Sequence, residues 1–237
     1  MAIISIIFPT RTRINKVQEL IDSVEETADD LNEIEFCIYY DNDDIETKNF
    51  LHEILSKRIN LKYITSNENI NLSQMWNYAY TNLATGDIIM HCGDDIRFRT
   101  KSWDTTIKHK FDESLDKILL VHGDDGLRRE SLATHSFVHR KWIEVSGFWL
   151  PPYFVSDYND TWLDDVATKL NRKIYLPDIY TEHMHFSCGK SQMDDNTNRR
   201  LERHSKENPG VIYIQKTNER LEQVEKLKLY ITNMNNR

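Results

Sequence analysis

NLSQMWNYAYTNLATGDIIMHCGDD, residues 71–95, carries the reading of the chain. Leu72, Met75, Trp76, Ala79, Tyr80 and Leu83 recur at helical spacing, so this part reads as an amphipathic helix. The GDIIMHC run (86–92) that follows reads as a buried strand. The strand stops at two adjacent carboxylates, Asp94 and Asp95. Two negative charges side by side repel. A chain sets them at the end of a buried strand either in a solvated turn or where something positive binds. Mg²⁺ and Mn²⁺ accept one or two carboxylates and complete their shell with water and phosphate oxygens, so the pair suits a metal–diphosphate site.

Outward toward the N-terminus the same alternation continues. AIISIIF (2–8) is a continuous apolar run of the kind buried parallel strands show, and Ile14, Val17, Leu20, Ile21 and Val24 then share one helical face. IEFCIYY (34–40) is a second strand and ends in the acidic loop DNDD (41–44). A helix with Phe50, Leu51, Ile54 and Leu55 and a third strand, LKYIT (61–65), complete the series. Strand–helix alternation over the first 95 residues implies an α/β fold with a mainly parallel, Rossmann-like sheet flanked by helices. Ligands of such sheets bind beyond the carboxyl ends of the strands. The acidic loop after strand two and the Asp pair after strand four therefore face one crevice.

The second half is less regular. KILLVH (117–122) reads as a strand before a second Gly-Asp-Asp (123–125), where DDG is also a strong turn signal. Residues 134–148 read as a strand and a short helix, 159–170 as a helix, and KIYLP (173–177) as a short strand before YTEHMHF. A helical extension ends the chain. Leu221, Val224, Leu227, Ile231 and Met234 give 217–234 an apolar face that docks on the body or pairs with a second copy as a homodimer.

A net charge of −8 excludes a protein that coats nucleic acid nonspecifically, while RFRTK (97–101), LRRE (127–130) and NRRLER (198–203) remain as local basic patches. Cys37, Cys92 and Cys188 form neither a disulfide framework nor a zinc motif, which points to a reducing, cytoplasmic setting. No segment approaches the apolar length of a membrane span.

SIIFPTRTR (5–13), IYYDNDD (38–44) and the stretch quoted first, taken as an ordered set, resemble family 2 glycosyltransferases of the nucleotide-diphospho-sugar transferase (GT-A) fold. Beyond residue 100 the likeness is looser and is to small enzymes of the kind carried by bacteriophages. Cys92 stands where the first Asp of a D-x-D-D cluster is expected, Asn71 where a Gly is usual and Trp76 where an Arg is usual. The resemblance implies a nucleotide-sugar-binding half (1–100), an acceptor-binding half (101–190) and a C-terminal helical extension (191–237). It implies a metal-dependent inverting transfer of a sugar from a nucleotide-diphospho-sugar to a hydroxyl of a glycan, a protein or a modified base of DNA.

The resemblance also implies residue roles. Pro9, Thr10, Arg11, Arg13, Asp41, Asn71 and Asp94 fall to the donor, with Asp41 accepting from the base and the arginines serving ribose or diphosphate. Asp43 and Asp44 read as turn and capping residues. Asp95 and Asp94 fall to Mn²⁺ or Mg²⁺, completed by His183 or His185. The base that deprotonates the acceptor is expected at Asp160, with Asp164 as alternative. A nucleotidyltransferase is disfavoured because PTRTRINK has no glycine to wrap phosphates, and a polymerase because the chain is short and acidic. A non-catalytic nucleotide- or sugar-binding module is the alternative reading.

Overall fold

The computed structural model describes residues 3–55 and 60–236; Ala2, at the start of the first expected strand, lies outside the described residues. Strands β1 (Ile4–Thr10), β2 (Ile34–Tyr40), β3 (Leu61–Ile64) and β4 (Ile88–His91) alternate with helices α1 (Ile14–Thr27), α2 (Ile45–Leu55) and α3 (Leu72–Leu83), as the sequence implies. β1 pairs in parallel with both β2 and β4, and β2 with β3. Ile4, Ile6 and Phe8 join the core on one face of the sheet and Ile7 the core on the other. Both faces are therefore covered, which is why these strands are unbroken apolar runs rather than alternating ones.

After β4 come β5 (Ile96–Phe98), α4 (Trp103–Asp112), β6 (Leu120–Asp124), β7 (Ser136–His139), α5 (Arg140–Ser146), α6 (Asn159–Lys169) and β8 (Lys173–His183). Helices α7 (Asp195–Glu207), α8 (Pro209–Gln215) and α9 (Thr217–Asn235) form the C-terminal extension. The eight strands join one sheet in the order β3-β2-β1-β4-β7-β6-β8-β5. The sheet is mixed: β7 runs antiparallel to β4 and β6, β5 antiparallel to β8, and β6 and β8 are parallel. The mainly parallel expectation thus describes the first four strands, and the antiparallel β7 marks where the regular alternation stops.

Three features differ from the sequence reading. The strand at 117–122 starts later and runs further, because Asp116 accepts from the Ile118 N–H at 2.8 Å and Lys117 takes a left-handed φ of 61°. The short strand at 173–177 is instead a long one that continues past Pro177 to His183. The β6–β8 register shifts between Gly123 and Asp124, and this irregularity lets a strand carry a proline. A Cβ on Gly123 would stand 2.2 Å from the Ile179 carbonyl oxygen, so only glycine permits this approach. Finally, α4 and β5 lie where the sequence analysis places no element, whereas α7, α8 and α9 fill the helical extension expected over 191–237.

The tail docks on the body. α9 packs against α5 and α6, but its buried face is Arg220, Gln223, Val224 and Leu227 rather than a purely apolar stripe. The polar members are engaged there, apart from Gln223 Nε2, which is buried without a partner. Trp162 Nε1 donates to Gln223 Oε1 at 2.6 Å, and Arg220 Nε donates to Asp165 at 2.7 Å while its guanidinium lies 3.7 Å from the Tyr213 ring centre.

Candidate active site

A cavity of about 510 Å³ opens at the carboxyl ends of β1, β2 and β4. Its floor is the end of β4. Trp76 of α3 donates its indole N–H to the Cys92 carbonyl at 3.1 Å and sets its ring edge-on to His91. The Cys92 thiol lies in the core against the Ile7 carbonyl, and burial pushes its pKa up. The position that departs from the family pattern therefore supplies packing, not a ligand. Burial likewise lowers His91 to about 4, so it is neutral at pH 7.

The two aspartates that follow are treated differently by their surroundings. Asp94, 3% exposed, accepts from Thr10 Oγ1 at 2.8 Å and from Arg13 Nη1 at 3.0 Å. Burial raises its pKa, Arg13 opposes the shift and Asp95 adds to it. Asp95 has no backbone N–H on its carboxylate; Oδ1 lies 3.5 Å from His183 Nε2. Burial works to raise its pKa, but the imidazoles of His183 and His135 outweigh that and hold it below the usual range. A Cβ on Gly93 would stand 2.6 Å from Asp95 Oδ1, so the glycine keeps room for that carboxylate. His183 is brought there by β8: its N–H donates to the Asp125 carbonyl at 2.9 Å, and the next residue, Met184, donates to the Asp95 carbonyl at 2.8 Å.

The donor set fits a hard divalent cation. Asp95 and the 9%-exposed His183 stand together, and His183 Nδ1 is buried without a partner. Among the described residues no group of three or more His, Cys, Asp or Glu side chains forms a complete cage. An ion that bridges a diphosphate needs only one or two protein ligands, so a partial set is the appropriate one. His135, 6% exposed and with both ring nitrogens unpartnered, lies with its ring centre 4.6 Å from that of His183. His185 also lines the cavity, with its ring centre 5.0 Å from that of His183. It caps a short turn through Ser187, and its Nε2 lies 3.4 Å from Arg200 Nη1.

Arg11 and Arg13 reach the cavity from the loop after β1. Arg11 pairs with Asp41 at 2.9 Å and, in a two-pronged contact, with Asp43. Asp44 accepts from the N–H groups of Thr47 and Thr12 and so caps α2 and fixes that loop. Arg13 donates through Nε and Nη2 to Asp194, at 2.7 Å each, which fastens the start of α7 over the cavity. Burial works against the Arg13 charge, yet Asp194 and Asp94 outweigh it and hold the pKa above its ordinary value. Asn71 is not part of the lining. Its side chain accepts from the Gln74 N–H in a capping box that starts α3.

α3 also delivers the opposite wall. Leu72 N–H donates to the Val155 carbonyl, Asn77 exchanges two hydrogen bonds with Leu150, and Ser73 Oγ lies 2.8 Å from Asn159 Oδ1. These contacts hold the start of α6, where Asp160 lines the cavity. Burial raises the Asp160 pKa and neighbouring Asp157 adds to the shift, against the Thr161 N–H that Asp160 accepts. Asp164 lies outside the lining: it accepts from the Ala133 N–H at 2.8 Å and pairs with Lys173 at 2.7 Å. Asp160, not Asp164, is the carboxylate brought to the cavity.

Several lining residues escaped the sequence reading. His135 carries no local signal. Asn196, Thr197 and Arg200 belong to α7, which falls in the expected helical extension, but nothing besides the basic patch at 198–203 pointed them to the cavity.

The sheet order and the carboxylate-lined crevice beyond its strand ends define a nucleotide-diphospho-sugar transferase (GT-A) fold. The chain belongs to glycosyl transferase family 2, whose family model matches residues 5–157. No curated protein matches it in sequence. Among solved structures it is similar to the mannosyltransferase PcManGT from Pyrobaculum calidifontis in complex with GDP-Man and Mn²⁺, at 16% identity and a TM-score of 0.62. That match covers 76% of this chain and 56% of the other, so the chain spans just over half the length of that relative. It is also similar to TarS 1–349 of S. aureus, at 17% identity and a TM-score of 0.60, over 85% of this chain and 71% of that one. TarS 1–349 in complex with UDP-GlcNAc matches at 16% identity, a TM-score of 0.60 and a coverage of 85% of this chain and 72% of that one. Among the described residues no helix is long and apolar enough to cross a membrane.

Proposed function

We propose that the chain is a metal-dependent inverting glycosyltransferase that moves a sugar from a nucleotide-diphospho-sugar to a hydroxyl acceptor. The observation that carries this reading is one cavity with two unlike walls: Asp95 and His183 on one, Asp160 on the other. Asp95 and His183 would hold Mn²⁺ or Mg²⁺, which when bound neutralises charge on the departing diphosphate. Arg13, anchored on Asp94 and Asp194, faces the same diphosphate with a guanidinium already oriented. Arg11 and Asp41 border the nucleoside end.

Asp160 takes the proton of the acceptor hydroxyl as its oxygen bonds to the anomeric carbon. The bond from that carbon to the diphosphate oxygen breaks on the opposite face. A carboxylate whose pKa is raised by burial is, once ionised, a stronger base than a solvated one. The donor's base and sugar and a cytoplasmic place of action belong to the same proposal.

A screen of nucleotide sugars with Mn²⁺, read by mass spectrometry, tests it. Release of nucleoside diphosphate from at least one donor is expected, and its loss in the Asp160→Asn variant. Metal-dependent nucleotide binding with no donor turned over would instead favour a non-catalytic binding module.

A further inference from the structure

Resting on that reading, we propose that the acceptor carries a phosphate group near its reacting hydroxyl, bound by arginines that α7 and the loop after β6 hold at the cavity mouth. The face that α7 turns to the cavity is Asn196, Arg199, Arg200, Arg203 and His204, spaced i, i+3, i+4, i+7 and i+8. A helix laid over a cavity ordinarily turns its apolar side inward. This one does the reverse: Leu201, its single large apolar residue, is 42% exposed, while Arg199, Arg200, Arg203 and His204, exposed or half-buried at the rim, line the cavity.

The orientation is fixed at both ends. Asp194 is tied to Arg13 at the donor edge. Further along α7, Asp157 accepts from Arg200 Nε at 2.8 Å and lies 2.6 Å from His204 Nδ1. Asp157 is three residues before Asp160, so the later half of α7 lies on the acceptor side. The cations of the donor edge are already matched, Arg13 by Asp94 and Asp194 and Arg11 by Asp41 and Asp43.

Arg203 is different, and so is Arg128 from the loop after β6. Both line the cavity, and neither side chain forms an ion pair or hydrogen bond among the described residues. The Arg128 loop is not slack. Asp125 Oδ1 accepts the N–H groups of Leu127, Arg128 and Arg129 at 2.8, 2.6 and 2.9 Å, and Thr134 donates to Oδ2 at 2.9 Å.

Two unmatched guanidinium groups on separate, anchored elements, in a chain of net charge −8, call for an anion between them. A phosphate offers its oxygens in a tetrahedral array that two guanidinium forks on separate elements can share, whereas the two oxygens of a carboxylate lie in one plane. That phosphate can come from a sugar or polyol phosphate or from a nucleic-acid backbone; the shared chemistry is the phosphate beside the hydroxyl.

The test uses the nucleotide sugar that the wild-type chain hydrolyses. Acceptor KM is measured for glycerol against glycerol 3-phosphate and glycerate, and for a nucleoside against a short single-stranded oligonucleotide. A KM lower by about tenfold or more is expected for the phosphate-bearing member of one series, and which series responds identifies the source. In the Arg128→Gln/Arg203→Gln variant that ratio falls to roughly one, as loss of charged hydrogen bonds to phosphate requires. Lys206→Gln, on the part of α7 outside the lining, keeps the preference. Equal KM in both series with donor hydrolysis intact overturns the proposal, as does a preference that survives in the double variant. If no donor is hydrolysed at all, the reading of the preceding section fails, and this inference with it.

Discussion

Gly93-Asp94-Asp95 and Gly123-Asp124-Asp125 each follow a buried strand, yet the two loops use their carboxylates in opposite ways. In the second, Asp125 turns back on its own chain and takes three backbone N–H groups on one oxygen. In the first, Asp95 takes none and lies beside His183 in the cavity. The letters are the same; what differs is where the nearest backbone donors point. A carboxylate satisfied by its own loop is a structural group. One set half-buried in the cavity beside imidazoles, with no backbone donor on it, is poised for a ligand. The same division separates Asp160, on the cavity, from Asp164, which is used up by Ala133 and Lys173.

The largest effect should come from the carboxylate with the most demanding task. Asp160→Asn is expected to lower transfer by about 10²–10⁴ while leaving nucleotide binding in place. Asp164→Asn should lose much less transfer and show its effect in thermal stability, because its partners hold α6 to β8. Initial rates and melting curves on the two variants separate the roles, and a reversal of the two phenotypes breaks the comparison.

The second loop should answer in stability rather than in nucleotide binding. Asp125→Ala removes an acceptor shared by three N–H groups and a hydroxyl and is expected to cost about 2–4 kcal/mol, or roughly 5–15 °C in Tm. Burial raises the Asp125 pKa, but the N–H groups outweigh it and hold it below the usual carboxylate range. A depressed folded pKa stabilises the fold above the unfolded value, near 4, and that contribution is lost as pH falls through the folded value. The wild type should therefore lose more stability between pH 5 and acid than the variant does, measured by denaturant unfolding; parallel curves would contradict this. These pH values are of the order set by the reference carboxylate pKa.

The smallest predicted effect is a shift of a pH profile. Asp157 adds to the raised pKa of Asp160, and Arg200 lowers it. The base works only when ionised, so the acidic limb of kcat/KM marks its pKa. Asp157→Asn removes a like charge and releases Arg200, and both changes move the limb to lower pH. A limb that stays in place or rises would show that Asp160 does not govern the profile.

Much of the first half was legible because its information is local. Apolar runs covered on both faces and helices with periodic stripes need no knowledge of distant partners, and the Asp pair follows directly from the strand before it. That part of the expected helical extension roofs the cavity was not legible. α7 has almost no apolar residues, and what places it is an ion pair between Arg13 and Asp194, 181 positions apart in the chain. His135 is invisible for a similar reason: it matters only because β7 inserts beside β4 and brings it to His183. Continuation of β8 through Pro177 depends on a register shift against β6 that no local pattern encodes.

The central claim is that Asp95 is held ready for a metal–nucleotide while Asp125 is not. Calorimetric titration with UDP and GDP, each with and without Mn²⁺, measures it directly on the wild type, Asp95→Asn and Asp125→Asn. The account predicts Mn²⁺-dependent binding in the wild type and in Asp125→Asn, and a loss in Asp95→Asn of about a hundredfold, the upper end of what loss of even an outer-shell partner of a metal ligand costs. Its Tm in metal-free buffer should barely change. Unaltered Mn²⁺-dependent binding by Asp95→Asn would contradict the claim and return the first Gly-Asp-Asp to the status of the second.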